Sequence, residues 1–387
     1  MKRNMAMLIF FSIVLLVTIG VNYFIYKQTS PIFGIAGKYE TTLRIFFWFL
    51  ALSYPLGRFL ERAIPSGASE LVAKIGSFWL AAMLYLTLFF LLLVIVKLIS
   101  GWTGFPSLLS AKDNLAFLQN ISIGIYSITT IIIFAGYLNA LYPRVNKITI
   151  QTDKPINGYS NFKIAAASDI HLGTIISNGR LERFIRMVND QKPDIILLAG
   201  DIFDEDLGPV IQNNMGDQLS QLRAPLGVYA VTGNHEYIGG ADPAIKYLED
   251  HGINVVRDSV FTPKGLINVV GRDDRQAKMM GGITRMPLEK LVQKIDKNLF
   301  TVMLDHQPYH LNEAVQNGID LQISGHTHHG QMFPLNFITK AMFEVSRGYK
   351  QIGNSHFYVS TGFGTWGPPV RVGNRPEIVV FEVISKN

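Results

Sequence analysis

The chain has no cysteine, which excludes disulfides and thiolate metal sites together, so any metal it holds must be bound by His, Asp, Glu, Asn or backbone oxygen. Histidine is absent from the N-terminal part as well: the first of the nine is His171. Charge is scarce in the same region. Met5 to Tyr26, Ile75 to Val96 and Ile121 to Tyr142 contain no Asp, Glu, Lys or Arg, and each is long enough to cross about 30 Å of hydrocarbon as a helix. No small-residue cleavage site follows the first stretch and further apolar stretches come after it, so it reads as an uncleaved span and not as a secretory signal. Trp79 and Tyr142 lie near the ends of such stretches, where amphipathic rings favour the membrane interface.

A fourth apolar run, Ile45 to Gly57, is shorter, is bracketed by Arg44 and Arg58 and contains Pro55. It reads either as a span lengthened by snorkelling arginines or as a re-entrant or interfacial helix. With four spans, Lys2, Arg3, Arg58, Arg62, Lys74, Arg144 and Lys147 share the side of the termini, against Lys27, Lys38, Arg44, Lys97 and Lys112. The positive-inside rule then puts the C-terminal part in the cytoplasm, at a bacterial inner or plasma membrane; with three spans it moves across. The net charge of +6 is modest and its Lys and Arg residues flank apolar stretches, which suits lipid headgroups and gives no nucleic-acid signature. Residues 1–145 are therefore read as a transmembrane domain of about four helices, 146–161 as a linker and lead-in strand, and 162–387 as the domain that carries chemistry.

After Pro143 the pattern changes to short apolar runs ending in polar clusters: Phe162 to Ser168, Asp194 to Ala199, Val228 to Thr232, Phe300 to Leu304 and Asp320 to Ser324. These read as buried strands. Arg180 to Asp190 places Leu181, Phe184, Ile185 and Val188 at helical spacing, and the alternation of strand and helix predicts an α/β layered domain. Phe357 to Thr361 and Ile378 to Val383 read as strands without intervening helices, which fits a two-sheet sandwich flanked by helices.

Each apolar run ends in metal-binding residue types: Asp169 and His171, Asp201 and Asp204, Asn234 and His235, His306, and His326 and His328. One such cluster alone usually marks an ordinary turn, but five at equivalent positions, at the strand ends where α/β sheets place their sites, point to a metal centre. Carboxylate and imidazole suit divalent Mn, Fe, Co or Zn, and a bridging carboxylate offsets repulsion between two such ions. Asp201 is the choice for that bridge. Gly200, Gly233 and Gly325 precede ligands and allow close backbone approach.

Asp169-Ile-His171, Gly200-Asp201-Ile-Phe-Asp204, Gly233-Asn234-His235-Glu236, His306 and Gly325-His326-Thr327-His328 together resemble the calcineurin-like metallophosphoesterases, in the family's motif order. The closing stretch from Ser360 to Glu377 resembles the membrane-associated bacterial subgroup. The resemblance implies one metal on Asp169, His171, Asp201 and His328 and a second on Asp201, Asn234, His306 and His326. It also implies a metal-bridging hydroxide as nucleophile and a catalytic, non-ligand His235 that contacts phosphate and protonates the leaving group. Glu236 or Asp204 could orient His235. His329 stands where the subgroup often has glycine, and is taken as an exposed residue outside the ligand set.

The function expected is hydrolysis of phosphoric esters or anhydrides at a membrane, on a phosphorylated and lipid-linked substrate in the manner of a UDP-diacylglucosamine pyrophosphatase. Two alternatives stand beside it: a phosphodiesterase for a soluble substrate such as a cyclic nucleotide, and a non-catalytic membrane sensor or scaffold. Gly325 to Gly330 lacks the lysine and helix-opening pattern of a P-loop, and no serine nucleophile elbow is present. His251, His310 on an expected helix after Pro308, and His356 read as structural or solvated. Arg272, Arg275, Arg371 and Arg375 could clamp phosphate, but solvated surface arginine is the preferred reading.

Overall fold

The computed structural model describes residues 2–103, 115–293 and 295–385. Lys112, counted in the charge balance above, lies outside them. The chain divides into two compact units between Gly136 and Tyr137.

The first unit holds α1 (Lys2–Phe33), a 3₁₀ segment (Gly34–Tyr39), α2 (Glu40–Ala63), α3 (Gly67–Thr103) and most of α4 (Leu115–Leu141). Three helical stretches are long and apolar enough to cross a membrane: Ser12–Ala63, Gly67–Thr103 and Leu115–Leu141. The first combines α1 and α2, which meet where Gly37 takes φ 51°. The doubtful run Ile45 to Gly57 lies inside α2, a continuous helix of 24 residues, about 36 Å long, that contains Pro55 without ending there. α2 runs antiparallel to α3 at glycine-only distance: a Cβ on Gly57 would stand 2.4 Å from the Ala73 nitrogen, and one on Gly76 would stand 2.2 Å from that of Tyr54. Small residues that let backbones touch are how helices pack where lipid removes the hydrophobic drive. Trp79 departs from its interfacial expectation. It is buried among the helices, its Nε1 donates to Asn22 Oδ1 at 2.9 Å, and its ring meets Phe47 edge-on. An indole can sit inside when its N–H finds a partner, and Asn22 supplies one.

The second unit is a sandwich of two six-stranded sheets. The first runs β1 (Arg144–Thr152), β12 (Glu377–Ser385), β2 (Phe162–Ala167), β3 (Ile195–Ala199), β4 (Val228–Val231) and β5 (Ile253–Val255). The second runs β10 (Gly348–Ile352), β11 (Ser355–Val359), β9 (Leu321–Ser324), β8 (Phe300–Leu304), β7 (Ile267–Gly271) and β6 (Ser259–Phe261). β2 to β5 are parallel and β12 joins β2 antiparallel. In the second sheet β7, β8, β9 and β11 are parallel, with β6 and β10 as antiparallel edges. Ile164, Leu197, Val302, Leu304, Ile323 and Phe381 fill the space between the sheets. Helix α5 (Asn178–Asn189) lays Leu181, Phe184, Ile185 and Val188 on the outer face, as its spacing dictates. The α/β class and two-sheet architecture therefore follow the sequence, while β1 begins at Arg144, two residues before the lead-in segment expected from residue 146.

The last turn of α4, from Tyr137, belongs to this second unit and is fixed there. Arg180 Nη2 donates to the Ala140 carbonyl at 2.8 Å, and Arg183 donates to that of Leu141. Both guanidinium groups sit at the helix C-terminus, where open carbonyls and the helix dipole favour cations. Asn139 Nδ2 donates to the carbonyls of Arg371 (2.9 Å) and Asn374 (2.6 Å).

Candidate metal centre

The ligand-type side chains follow β2, β3, β4, β8 and β9, so both sheets converge on one site. The connecting loops are stitched by backbone bonds: Asp169 N to the Gly200 carbonyl (3.0 Å), His171 N to that of Asp201 (3.1 Å) and Gly325 N to that of His306 (2.9 Å). Asp169, His171, Asp201, His326 and His328 all have left-handed φ, between 43° and 70°. Such conformations are unfavourable for non-glycine residues and persist only where the surroundings impose them. Glycine leaves the room this needs. A Cβ at Gly233 would lie 2.2 Å from Asp201 Oδ1, and one at Gly325 would lie 2.2 Å from Asp169 Oδ2.

Two donor sets result. In the first, His171 Nε2 stands 3.0 Å from His328 Nε2, which is 3.3 Å from Asp169 Oδ1. In the second, His306 Nε2 is 3.0 Å from Asp201 Oδ2, and Asn234 Oδ1 is 2.7 Å from His326 Nδ1 and 3.2 Å from His306 Nε2. Asp201 Oδ2 also lies 4.0 Å from His171 Nε2, so its carboxylate stands between the sets, where a bridge belongs. Ligands about 2.1 Å from one ion at right angles are about 3.0 Å apart, so these spacings fit coordination edges. The chemistry fits too. All of these donors are O or N, and the carboxylates of Asp169 and Asp201 are buried. The seven residues predicted from sequence, Asp169, His171, Asp201, Asn234, His306, His326 and His328, are brought together, and Asp204 and His235 form a further group with His171.

Tautomer and charge are controlled around them. His306 Nδ1 lies 2.8 Å from the Ala199 carbonyl; donating to it leaves Nε2 facing the site, where an ion would displace its proton. Burial would lower the pKa of His306, but Asp201 and Asp169 together outweigh it and hold it well above the usual histidine range. His328 is pushed low by burial, then by His171 and Arg371; His326 is pushed to about 4 by burial, then by His306. Neutral imidazole is the form that binds metal. Asp169 accepts from Ser168 Oγ (2.5 Å) and from the His326 backbone N–H (2.9 Å).

Glu236 answers the question of which carboxylate serves His235. Its oxygens accept the backbone N–H groups of Asp201 (3.0 Å), Ile202 (2.8 Å), Phe203 (3.0 Å) and Gly233 (2.7 Å), which locks the β3 and β4 loops together. The carboxylates near His235 are instead Asp204 and Glu205, each 3.7 Å from its Nδ1. His235 opens α6 (Asn234–Gly239), its N–H donates to Asp201 Oδ1 (2.8 Å), and its ring meets His171 edge-on with Trp366 on its other side.

Several side chains differ from their expected placement. His329 is buried, not exposed, with Nδ1 2.6 Å from Ser346 Oγ and no place in either donor set. His310 precedes its helix as a left-handed N-cap. Arg371 is fully buried and Arg272 nearly so. Arg371 directs its fork at the carbonyls of Gly362 and Gly364 and at Asn374 Oδ1, with Nη2 3.3 Å from His328 Nδ1. Arg272 pairs with Asp258 at 3.1 Å and donates to the Met286 carbonyl. These partners occupy the phosphate-clamp geometry considered for both. Arg275 lays its guanidinium 4.9 Å over the Tyr309 ring, and Arg375 is exposed with Nε on Asn139 Oδ1 at 3.1 Å. Sequence reasoning missed Ser168, Asn374 and Asn139 as support for the site. The Gly362 and Gly364 pair framing Arg371 was the available sign of a backbone packed too tightly for solvent.

The model of the calcineurin-like phosphoesterase family matches residues 162–330. A metallophosphoesterase of Aquifex aeolicus (strain VF5) is 32% identical over 253 residues, covering 65% of this chain and 95% of that protein. The metallophosphoesterase YkuE of Bacillus subtilis (strain 168) is 31% identical, covering 65% of this chain and 90% of its own length. A transmembrane protein with metallophosphoesterase domain from Danio rerio is 31% identical over 65% of this chain but only 60% of its own length. Each match covers about the share of the chain that the sandwich occupies, and a hydrolase of phosphate esters built around metal ions is what its donor sets are shaped for: the chain belongs to the calcineurin-like phosphoesterase family.

Proposed function

We propose that the chain is a membrane-bound, two-metal hydrolase of phosphoric esters or anhydrides whose substrate carries a lipid, with a UDP-diacylglucosamine pyrophosphatase-like reaction as its concrete form. The observation that carries this reading is the joint at the end of α4. Asn139, Ala140 and Leu141 are held by Arg180, Arg183 and the 371–374 loop, and Arg371 of that loop adjoins the ligand His328. A catalytic domain that takes up the last turn of a membrane-length helix follows that helix directly along the chain, and a lipid-bearing substrate suits such a tether.

Asp169, His171, Asp201 and His328 would hold one divalent ion and Asp201, Asn234, His306 and His326 the other, with Mn, Fe, Zn and Co all suited to these donors. Bound there, the pair supplies an activated water and neutralises charge on the phosphoryl oxygens. His235, beside this centre and outside both donor sets, donates a proton from its imidazole to the leaving oxygen. Asp204 and Glu205 face its Nδ1 and stabilise the protonated ring before transfer.

With α2 and α3 as separate antiparallel crossings the count becomes four, and the positive-inside rule would then put the catalytic domain in the cytoplasm. Protease protection in sealed vesicles tests that side. The substrate class is tested with manganese-loaded protein in detergent on phosphomonoesters, cyclic and acyclic diesters, and lipid pyrophosphates. A higher kcat/KM for lipid-bearing substrates than for their headgroups alone is expected; equal values would sink the reading.

A further inference from the structure

Helix α7 (Asn336–Met342) follows the ligand loop directly, and it is built inside out. An amphipathic helix of a soluble domain turns its apolar stripe to the core. α7 buries none of its residues: Phe337, Ile338 and Met342 are 59%, 55% and 59% exposed, and Phe333 and Trp366 beside them are 48% and 56% exposed. Phe333 and Phe337 meet edge-on as an exposed pair with centroids 5.7 Å apart. Lys340, Arg347 and Arg375 are exposed around the same surface.

Its position is set by contacts on both sides. Towards the metal centre, Gly330 packs so closely on the start of α7 that a Cβ would lie 2.4 Å from the Asn336 nitrogen, and Ser346 Oγ joins His329 (2.6 Å) to Thr339 (3.1 Å). Towards the membrane helix, Phe333 N donates to the Val372 carbonyl (2.9 Å). Gln331 is bonded to the backbone of Trp366 and Pro368, and Asn139 holds the Arg371 and Asn374 carbonyls. The apolar collar is thus continuous with the loops that grip the end of α4.

We propose that Phe333, Phe337, Ile338, Met342 and Trp366 seat this face in the surface of the bilayer, with α7 lying in the interface and Lys340, Arg347 and Arg375 on anionic headgroups. Helices with this division of apolar and basic groups bury their apolar side about 5–10 Å into the headgroup boundary. The mouth of the metal centre then opens at headgroup level. The inference rests on membrane anchoring and not on the substrate, so a soluble substrate would leave it standing.

The absence of native cysteine permits a direct test in the full chain. Phe337→Cys, Ile338→Cys and, as a reference at an exposed apolar residue outside the collar, Ile211→Cys are each labelled with a nitroxide. Each is placed in vesicles of zwitterionic lipid with a minority of anionic lipid. Thermal melting and metal content matching the parent establish folding; where one collar variant fails this, the other is read. Collision with dissolved oxygen relative to a water-soluble nickel complex should rise at 337 and 338 above the value at 211, and fall back in detergent-free solution of anionic-lipid-poor vesicles at high salt. Ratios equal to that at 211 would overturn the proposal. So would dipolar broadening between labels on two chains with low access to both quenchers, since a second copy would then cover the face.

Discussion

Arg371 Nη2 stands 3.3 Å from His328 Nδ1, while the Arg371 carbonyl accepts a hydrogen bond from Asn139 in the last turn of α4. A single buried residue therefore connects a candidate metal-binding imidazole to the last turn of α4. Replacing Arg371 by Met removes the donors that hold the Gly362 and Gly364 carbonyls. Groups that support a metal ligand from behind typically change metal affinity by about 10–100-fold, and calorimetric titration of manganese should show a loss in that range.

Asn139→Ala should act on the joint and spare the metal. The carbonyls of Arg371 and Asn374 lose their partner, at about 1–3 kcal/mol for each group left unsatisfied. Amide exchange in residues 362–375 should quicken, while metal content stays at the parental level.

Glu236→Gln tests the clamp. Four backbone donors converge on the two carboxylate oxygens, and an amide would turn one acceptor into a donor facing N–H groups. Urea unfolding should show a loss of about 3 kcal/mol or more, since hydrogen bonds to charged acceptors contribute about 1.5–3 kcal/mol each. A stable variant with altered leaving-group dependence would instead make Glu236 the orienting partner of His235.

His235→Ala should keep its metals and lose turnover selectively. General acid catalysis is worth about 10²–10⁴-fold, and the loss should appear with poor leaving groups and fade with nitrophenolate. Comparable turnover of parent and variant on alkyl phosphates would remove His235 from the mechanism.

Chelation should abolish hydrolysis and lower the melting temperature, because an ion bound only by the folded state stabilises it by mass action. Manganese should restore both. Recovery of the melting temperature without activity would separate a structural metal role from a chemical one.

The seven candidate ligands were legible because each follows an apolar run and each strand ends at the same side of a sheet. Residue order alone therefore carried them to one place. Glu236 was visible as part of a motif but its task was not, since its four partners come from two loops that meet only when β3 and β4 pair. Arg371 read as a surface residue for a similar reason: charge normally stays in water, and only the folded loop supplies the carbonyls that permit its burial. Trp79 moved inside because Asn22, far away in sequence, satisfies its N–H. α7 escaped notice since seven residues are too few for periodicity to declare which side faces out.

The left-handed backbone at Asp169, His171, Asp201, His326 and His328 has a bearing on metal choice. Loop-to-loop hydrogen bonds and close glycine contacts hold these conformations. A cage of nitrogen and oxygen donors held in this way does little to sort ions that accept the same donors at similar distances. The metal content of chain purified from cells grown on different metal supplies is then expected to follow the supply.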